Sequence, residues 1–319
     1  MRRIVVLSGE FAGLWSAVGA ARKLDELRIT PDQVEVVLID RTDWHAIRVR
    51  NYEADLADVR VRFDEILPPI GVRRVRGEVK DIDLDQRRIG VDSLSEPIGY
   101  DRLVFALGSQ LARPVLPGLM EQAFDVDTCE GAVRLEEHLA ALRSRPASRG
   151  RRTVLVVGAG LTGIEVATEM PARLAPIGGG RVILADHAPW IGSNMGEEAR
   201  EVIDRALAAL NVETRPGFAV ASVDADGARL ESGERIDAGT IVWCAGMRSH
   251  PLTSRFPVPL DGFGRLPVDQ CLKVKGLNAE FAAGDCAWLE IDDRRCGIEA
   301  VRDRPGSVLA GIKLTSRTS

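Results

Sequence analysis

The chain contains one kind of glycine-rich turn twice, as IVVLSGEFAGLW at residues 4–15 and as VLVVGAGLTGIE at residues 154–165. Each turn follows an apolar run typical of a strand buried on both faces, and each precedes a helical pattern. A second apolar strand follows each helix, VEVVLID ending at Asp40 and GRVILAD ending at Asp186. A strand, glycine turn, helix and strand in this order form the dinucleotide-binding unit of Rossmann-type domains. The sequence therefore predicts an α/β fold with two Rossmann-like dinucleotide-binding domains.

Composition limits the size of the domains and the kind of partner. The 319 residues, of which 45% are hydrophobic, suffice for two domains with their own cores. The formal net charge of −5 argues against a nucleic-acid partner. No run of about 18 uncharged apolar residues is present, so no transmembrane helix is predicted. Glu10 interrupts the apolar stretch near the first residue, which argues against a signal peptide and favours a cytoplasmic location.

The spacing of cysteines and histidines argues against a metal site and against a dithiol redox centre. No CxxC or CxxxxC motif occurs, and the four histidines have no ligand spacing. The chain has five scattered cysteines: Cys129, Cys244, Cys271, Cys286 and Cys296. We therefore predict no bound metal ion and no role for a cysteine in turnover.

The second turn has all three glycines of the dinucleotide-binding pattern. Gly158 makes the bend, Gly160 leaves room for the pyrophosphate, and Gly163 lets the helix pack closely on the strand. Backbone N–H groups and the helix dipole then favour the diphosphate. Asp186 is placed to accept hydrogen bonds from a ribose, which favours NAD over NADP, although a protonated His187 would soften this preference. The alternative is a structural glycine turn without a ligand.

The first turn has lost two of its glycines. Gly9 and Gly13 remain, Gly13 as the packing glycine, but Ser8 and Glu10 occupy the first two motif positions. A serine costs little if the bend needs no positive φ. Glu10 places a carboxylate where the pyrophosphate approaches, and two unit charges about 4 Å apart repel by about 4 kcal/mol at an effective dielectric constant near 20. That repulsion corresponds to roughly three decades of affinity unless the carboxylate turns outward or is protonated.

Several segments together are similar to the two-dinucleotide-binding-domain flavoproteins, and most closely to the type II NADH dehydrogenases (NADH:quinone oxidoreductases). They occur in the family's order and extend to about residue 290: VVLSGEFAGLWSA, YDRLVFALGS, VLVVGAGLTGIEVATEM, IVWCAGMRSHP and GLNAEFAAGDCAW. The resemblance implies an NAD domain at residues 118–257, inserted into a discontinuous FAD domain made of residues 1–117 and 258–319.

The resemblance also implies which residues contact FAD. Asp40 would bind its ribose, and Val79 would hold the adenine through its backbone. Gly108 closes the ALGS segment. Gly284 and Asp285 match the second FAD signature, in which the aspartate bonds the ribityl chain; the alternative for Asp285 is a simple turn aspartate.

On the nicotinamide side, Glu165 matches the family's acid near the nicotinamide–flavin junction, and a helix-surface glutamate is an equally good interpretation. Ala245 and Gly246 match the loop that lines the nicotinamide. The implied reaction transfers hydride from C4 of NADH to N5 of the flavin, and electrons then pass to a second, small-molecule acceptor. No acid, base or nucleophile is needed, so no catalytic residue is predicted.

The C-terminal residues depart from the family pattern. RRCGIEAVRDRPGSVLAGIKLTSRTS stands where relatives have a helix at the flavin pyrimidine and a C-terminal domain, and the quinone-site glutamine pattern is not recognisable. The acceptor, quinone-like or other, is therefore open, as is the oligomeric state, and contact with a membrane surface is not expected.

Three functions remain open at this point. The leading one is an FAD-dependent NADH oxidoreductase, which the ALGS and GD segments favour. The second is an NAD-binding protein that no longer binds FAD, which Ser8, Glu10 and the short C-terminal segment favour. The third is a flavin-free NAD dehydrogenase, for which no candidate general base lies near the intact turn.

Overall fold

The computed structural model describes residues 1–144, 148, 150–193, 195–291 and 294–297. The chain forms two compact units. The first unit consists of Met1–Ile47, Arg60–Gln110 and the described residues from Arg248 onward, and the second of Arg48–Val59 and Leu111–Met247. Each unit is built on a parallel sheet, so the predicted α/β fold with one domain inserted into the other is confirmed.

The boundaries of the units differ from the predicted domain boundaries. The chain passes between the units after Gln110 and after Met247, rather than after residues 117 and 257. Segment Arg48–Val59, which was expected in the first domain, belongs to the second unit because Tyr52 and Leu56 pack against the core of that unit. Local sequence carries no sign of this assignment, since the contacts join residues far apart in the chain.

The described residues form twenty-three strands, six α-helices and four short 3-10 helices. In chain order the strands are β1 Arg2–Leu7, β2 Val34–Asp40, β3 Trp44–Ala46, β4 Arg60–Arg62, β5 Arg73–Arg76, β6 Val79–Asp83, β7 Arg88–Val91, β8 Ile98–Gly99, β9 Arg102–Phe105, β10 Ser109–Leu111, β11 Ala123–Phe124, β12 Thr153–Val157, β13 Arg181–Asp186, β14 Val212–Pro216, β15 Val220–Asp224, β16 Gly227–Leu230, β17 Arg235–Asp237, β18 Thr240–Trp243, β19 Met247–Ser249, β20 Leu266–Pro267, β21 Glu280–Ala282, β22 Ala287–Ile291 and β23 Arg294–Gly297. The α-helices are α1 Phe11–Glu26, α2 Phe63–Ile66, α3 Leu119–Gln122, α4 Cys129–Ala141, α5 Leu161–Leu174 and α6 Glu197–Ala209. Short 3-10 helices span Arg48–Arg50, Pro68–Ile70, Ala175–Ile177 and Pro251–Arg255.

A five-stranded parallel sheet forms the centre of the first unit, in the order β21–β9–β1–β2–β5. At the carboxyl edge of this sheet, Leu7 lies opposite Ile39 and Phe105. Helix α1 packs on one face, and the antiparallel sheet β6–β7–β8 packs on the other. Because both faces are covered, the central strands are apolar along their length, which is the pattern seen in the sequence.

The second unit repeats this plan. Its parallel sheet has the order β11–β18–β12–β13–β14, and Val157 at the carboxyl edge lies opposite Ala185 and Trp243. Helices α4 and α5 pack on one face, and the antiparallel sheet β15–β16–β17 packs on the other. Each unit therefore places its glycine turn at the carboxyl edge of a doubly covered sheet, where ligands bind in folds of this class.

Two glycines of α1 allow a prediction about packing. A Cβ atom on Gly13 would lie 1.9 Å from the carbonyl oxygen of Ser8, whereas one on Gly19 would meet no atom within 4 Å. We expect Gly13→Ala to lower the free energy of unfolding by about 1–3 kcal/mol through overpacking. Gly19→Ala should raise it by about 0.5–1 kcal/mol, because alanine is the better helix former. Chemical denaturation measures both changes, and equal stability of the two variants would contradict the close approach of α1 to the turn.

Candidate nucleotide-binding sites

The two glycine turns have similar backbone dihedrals at the first two glycine positions of the motif. Ser8 and Gly158 both have a positive φ, of 80° and 104°. The extended residues that precede the helices also match, with φ −69° and ψ −178° at Glu10 and φ −75° and ψ −175° at Gly160. The chain therefore enters α1 and α5 in a similar way. The first N–H groups of a helix have no partner within the helix and can bind an anion. The first turn keeps this geometry although two of its glycines are replaced.

Serine at position 8 has a conformational cost, because the bend does require a positive φ. The left-handed region costs an L-residue about 1–2 kcal/mol. The Oγ atom of Ser8 accepts a hydrogen bond from the N–H of Glu10 at 3.1 Å, which offsets part of this cost. Serine would cost little only if the bend needed no positive φ, and the φ of 80° at Ser8 shows that it does.

Gly13 and Gly163 have the packing role that the pattern predicts. A Cβ atom on Gly163 would lie 1.7 Å from the carbonyl oxygen of Gly158, and the corresponding clash at Gly13 involves Ser8. Any side chain at either position would push the helix away from the turn. A contact of these glycines with a cofactor remains a prediction.

Asp40 and Asp186 each brace the turn of their own unit. Oδ2 of Asp40 accepts a hydrogen bond from the N–H of Gly9 at 2.7 Å, and Oδ2 of Asp186 accepts one from the N–H of Ala159. The second oxygen of each carboxylate accepts a further N–H two residues along the chain. A carboxylate oxygen can accept more than one hydrogen bond, so both acids retain capacity for a ribose hydroxyl.

The residue before each helix distinguishes the two turns. A Cβ atom on Gly160 would meet no atom within 4 Å, so a diphosphate has room to approach the backbone N–H groups. In the first turn the corresponding residue, Glu10, has a side chain, and its Oε2 atom lies 3.9 Å from the position of a Cβ atom on Gly108. The two turns therefore differ at the residue before the helix, which is an unobstructed glycine in the second turn and a glutamate in the first.

Two residues that the sequence patterns did not single out, His45 and Phe63, support the first turn. The buried His45 has its Nδ1 atom 2.7 Å from the carbonyl oxygen of Gly9, and since a carbonyl only accepts, Nδ1–H is the donor. The ring of Phe11 packs edge-on against His45, with 4.9 Å between centroids. A Cβ atom on Gly9 would lie 2.1 Å from the Phe63 ring. Gly9 is thus required by packing, and no motif reveals either partner.

The residues of the ALGS segment and of the second FAD signature lie beside the first turn. Gly108 and Gly284 have positive φ values of 63° and 82°, and a Cβ atom on Gly284 would lie 2.8 Å from the Cβ atom of Ala12 in α1. The Ser109 hydroxyl donates a hydrogen bond to Oδ2 of Asp285 at 2.7 Å. The structure thus brings these predicted residues together at one sheet edge. Ser109 was not among the predicted site residues, although it is the last residue of the ALGS segment.

Val79 lies at the start of β6, with its side chain buried. Two residues earlier, the N–H of Gly77 donates a hydrogen bond to the carbonyl oxygen of Asp40 at 2.9 Å. This bond places the start of β6 beside the acid of the first turn, where the adenine contact is predicted.

The loop after β18 lies against the intact turn. The N–H of Cys244 donates a hydrogen bond to the carbonyl oxygen of Val157 at 2.7 Å, and a Cβ atom on Gly158 would lie 2.6 Å from the backbone nitrogen of Ala245. Gly246 follows with a φ of 76°. The predicted nicotinamide-side residues and the intact turn therefore meet at the carboxyl edge of one sheet.

Burial controls the titration of the groups near these turns. It raises the pKa of Glu165, which is half-buried on α5, and burial together with the charge of Glu165 raises the pKa of Tyr52. Burial also raises the pKa of Cys244 and that of Cys286 to about 12, so both groups are neutral thiols at pH 7. The raised pKa values lower the fraction of thiolate, which is the nucleophilic form of cysteine.

Within the described ranges, no group of three or more His, Cys, Asp or Glu side chains is arranged to hold a metal ion. The same part of the chain has no helix of the length and apolarity needed to cross a membrane.

Comparison with known proteins identifies similar sequences and folds. The family model described as pyridine nucleotide-disulphide oxidoreductase matches residues 2–311. The NADH dehydrogenase-like protein MT1860 of Mycobacterium tuberculosis is 49% identical, over 98% of this chain and 80% of the relative. Demethylphylloquinone reductase NdbB of Synechocystis is 28% identical, over 89% of this chain and 72% of the relative. Among solved structures, NDH2 from Plasmodium falciparum in complex with NADH has a TM-score of 0.74 at 17% identity, over 91% of this chain and 65% of that one, which shows a shared fold.

Proposed function

Because the chain belongs to the pyridine nucleotide-disulphide oxidoreductase family, we propose that it oxidises NADH through FAD and passes the electrons to a quinone-type acceptor. Family membership confirms the predicted resemblance and the predicted cofactors, FAD and NAD, so the chain is an FAD-dependent NADH oxidoreductase. The identity of the acceptor is the proposed part. It is supported by the quinone-reducing activity named for several relatives.

The observation that carries the proposal is the pair of equivalent turns, each braced by a strand-end acid at the carboxyl edge of a parallel sheet. When bound, FAD supplies the hydride acceptor and NADH the donor, so the residues of the chain bind and orient rather than react. We assign FAD to the first unit, at Gly9, Gly13, Asp40, Val79, Gly108, Gly284 and Asp285. We assign NADH to the second unit, at Gly158, Gly160, Gly163, Glu165, Asp186, Ala245 and Gly246.

The state of the cysteines supports a non-thiol acceptor. Cys286 lies next to Asp285 in the proposed FAD site, but it is buried and its pKa is raised to about 12. Relay of electrons to a disulfide requires two cysteines in reach of each other, and no CxxC or CxxxxC pair exists in this sequence. We therefore place the acceptor outside the protein, as a small molecule.

Glu10 favours a second candidate function, an NAD-binding protein that holds FAD weakly or not at all. Glu10 puts a carboxylate side chain at the motif position where the second turn has Gly160, and a Cβ atom on Gly160 would meet no atom within 4 Å. In this candidate NADH binds to the second unit without hydride transfer.

One experiment separates the two candidates. The full-length chain is purified, and its visible flavin absorption is recorded before and after anaerobic addition of NADH. The proposed function requires flavin bands that NADH bleaches and that a soluble quinone analogue restores. A colourless protein that still binds NADH, even after incubation with FAD, would establish the second candidate instead.

A further prediction concerns the choice between NADH and NADPH. We expect wild type to bind NADH roughly ten-fold or more tightly than NADPH, because the Asp186 carboxylate repels a 2′-phosphate. Asp186→Asn should reduce this ratio while its side-chain oxygen still accepts a backbone hydrogen bond. Isothermal titration calorimetry with both nucleotides measures the ratio, and Glu213→Gln, at a surface ion pair of the same sheet, is the control. Equal affinity of wild type for the two nucleotides would contradict the role of Asp186.

A further inference from the structure

A network of charged residues follows β11 in the second unit; we name it the Asp127 network, and it comprises Arg48, Arg113, Asp125 and Asp127. Asp127 forms an ion pair with Arg48, whose Nε atom also donates a hydrogen bond to the carbonyl oxygen of Asp127 at 3.2 Å. Asp125, with a side chain only 3% exposed, forms an ion pair with Arg113 and accepts a hydrogen bond from the N–H of Asp127 at 3.0 Å. The two carboxylates are thus held in fixed positions by opposite charges and backbone groups.

Asp127 also holds the segment through which the chain enters the second unit. Its Oδ2 atom accepts a hydrogen bond from the N–H of Leu111 at 3.0 Å. The next residue, Ala112, donates its N–H to the carbonyl oxygen of Gly246 at 2.9 Å and accepts a hydrogen bond from Nε1 of Trp243 at 3.2 Å. Hydrogen bonds of two consecutive residues, Leu111 and Ala112, therefore link the Asp127 carboxylate to the loop that contains Gly246.

The loop needs such support because of its own composition. Gly246 has a φ of 76° and, as a glycine, can adopt several other conformations at little cost. Ala245 beside it adds no side chain beyond a methyl group. The Ala112 backbone meets this loop directly, and a Cβ atom on Gly246 would lie 3.2 Å from the Cβ atom of Ala112. The conformation of the loop thus depends on where Ala112 is held.

We propose that Asp127 is a positioning residue, which through Leu111 and Ala112 fixes the Ala245–Gly246 loop in the conformation that receives the nicotinamide of NADH. The inference rests on the proposed function, because that function assigns this loop to the nicotinamide. The negative charge of Asp127 also compensates the positive charge of Arg48. The side chain of Arg48 is 19% exposed and that of Asp127 is 16% exposed, so neither charge is well solvated without the other. The network lies close to the loop, since the charges of Asp125 and Asp127, after burial, contribute to the raised pKa of Cys244.

The test uses Asp127→Asn and Arg48→Met in the full-length, FAD-loaded protein. The first variant keeps the size of the side chain and removes its charge; the second removes the counter-charge and leaves the acceptor for Leu111. The matched control is Glu213→Gln, which breaks the Arg181–Glu213 ion pair in the same sheet, near the amino ends of β13 and β14. Four measurements are made: the Kd of NADH by calorimetry, the Kd of FAD, the steady-state KM and kcat with NADH, and amide hydrogen exchange of a peptide spanning residues 243–248 without nucleotide.

We expect Asp127→Asn to raise the Kd and KM of NADH by about ten-fold, which corresponds to about 1.4 kcal/mol. The Kd of FAD and kcat at saturating NADH should stay within about two-fold, because an equilibrium shift toward misplaced loop conformers acts on binding. Amide exchange in residues 243–248 should become faster in the variant. Arg48→Met should act in the same direction with a smaller effect, and Glu213→Gln should match wild type.

The outcomes are separable. A variant with a lower melting temperature but unchanged NADH affinity and unchanged exchange at residues 243–248 has lost only stability, and the proposal is then overturned. If Asp127→Asn does not fold, the same comparison is made with Arg48→Met. If wild type itself binds no NADH, the proposed function fails, and the exchange measurement still decides whether Asp127 fixes the loop.

Discussion

Gly160→Glu should raise the Kd of NADH by about a thousandfold while leaving the fold intact. The backbone at Gly160 has φ −75° and ψ −175°, which any residue can adopt, and a Cβ atom there meets nothing within 4 Å. The new side chain therefore enters the space proposed for the diphosphate without strain. Two negative charges about 4 Å apart repel by about 4 kcal/mol at an effective dielectric constant near 20, which is about three decades in affinity. Calorimetry with NADH at fixed pH and salt measures the change.

Two matched variants separate charge from bulk in this experiment. Gly160→Gln has nearly the same size and no charge, so it should weaken NADH binding much less than Gly160→Glu. Gly160→Ala adds one methyl group in open space and should change the Kd by less than about ten-fold. A folded Gly160→Glu variant that binds NADH like wild type would show that the nucleotide does not approach this turn.

Glu10→Gly should strengthen FAD binding by up to about a thousandfold, since it removes from the first turn the charge that Gly160→Glu adds to the second. The backbone at Glu10 matches that at Gly160, and the Glu10 carboxylate reaches toward Gly108. The affinity is measured by titrating the cofactor-free protein with FAD and following flavin fluorescence. Glu10→Gln separates the contribution of charge from that of size. Glutamine is nearly as large as glutamate but uncharged, so any gain in FAD affinity in this variant comes from loss of the charge.

Ser8, two residues before Glu10, provides the comparison. Ser8→Gly relieves a positive φ but removes the hydrogen bond from the Glu10 N–H to Oγ, so it should change FAD affinity less than Glu10→Gly. The double variant should bind FAD more tightly than either single one. If wild type already binds FAD tightly and Glu10→Gly leaves the Kd unchanged, the carboxylate turns away from the diphosphate in the complex, and our interpretation of this turn is wrong.

Short-range patterns were sufficient to predict the two βαβ units, the packing glycines and the strand-end acids. Gly13 and Gly163 clash with their own turns if a Cβ is added, and Asp40 and Asp186 hydrogen-bond to their own turns. A turn and the strand after its helix are joined by one crossover, so their relation follows from the geometry of that unit. These features could therefore be predicted from local sequence.

Tertiary structure alone decided the supports around the turns. His45 and Phe63 lie against Gly9, segment Arg48–Val59 packs on the second unit, and the positive φ of Ser8 emerged only with the complete turn. Asp127 likewise acquires its partners from distant parts of the chain. Periodicity and glycine spacing describe a residue's own strand, turn or helix, whereas these contacts depend on which distant segments the packed cores bring together. The sequence by itself thus determined the two nucleotide-binding units, and tertiary packing determined what holds each turn and loop in place.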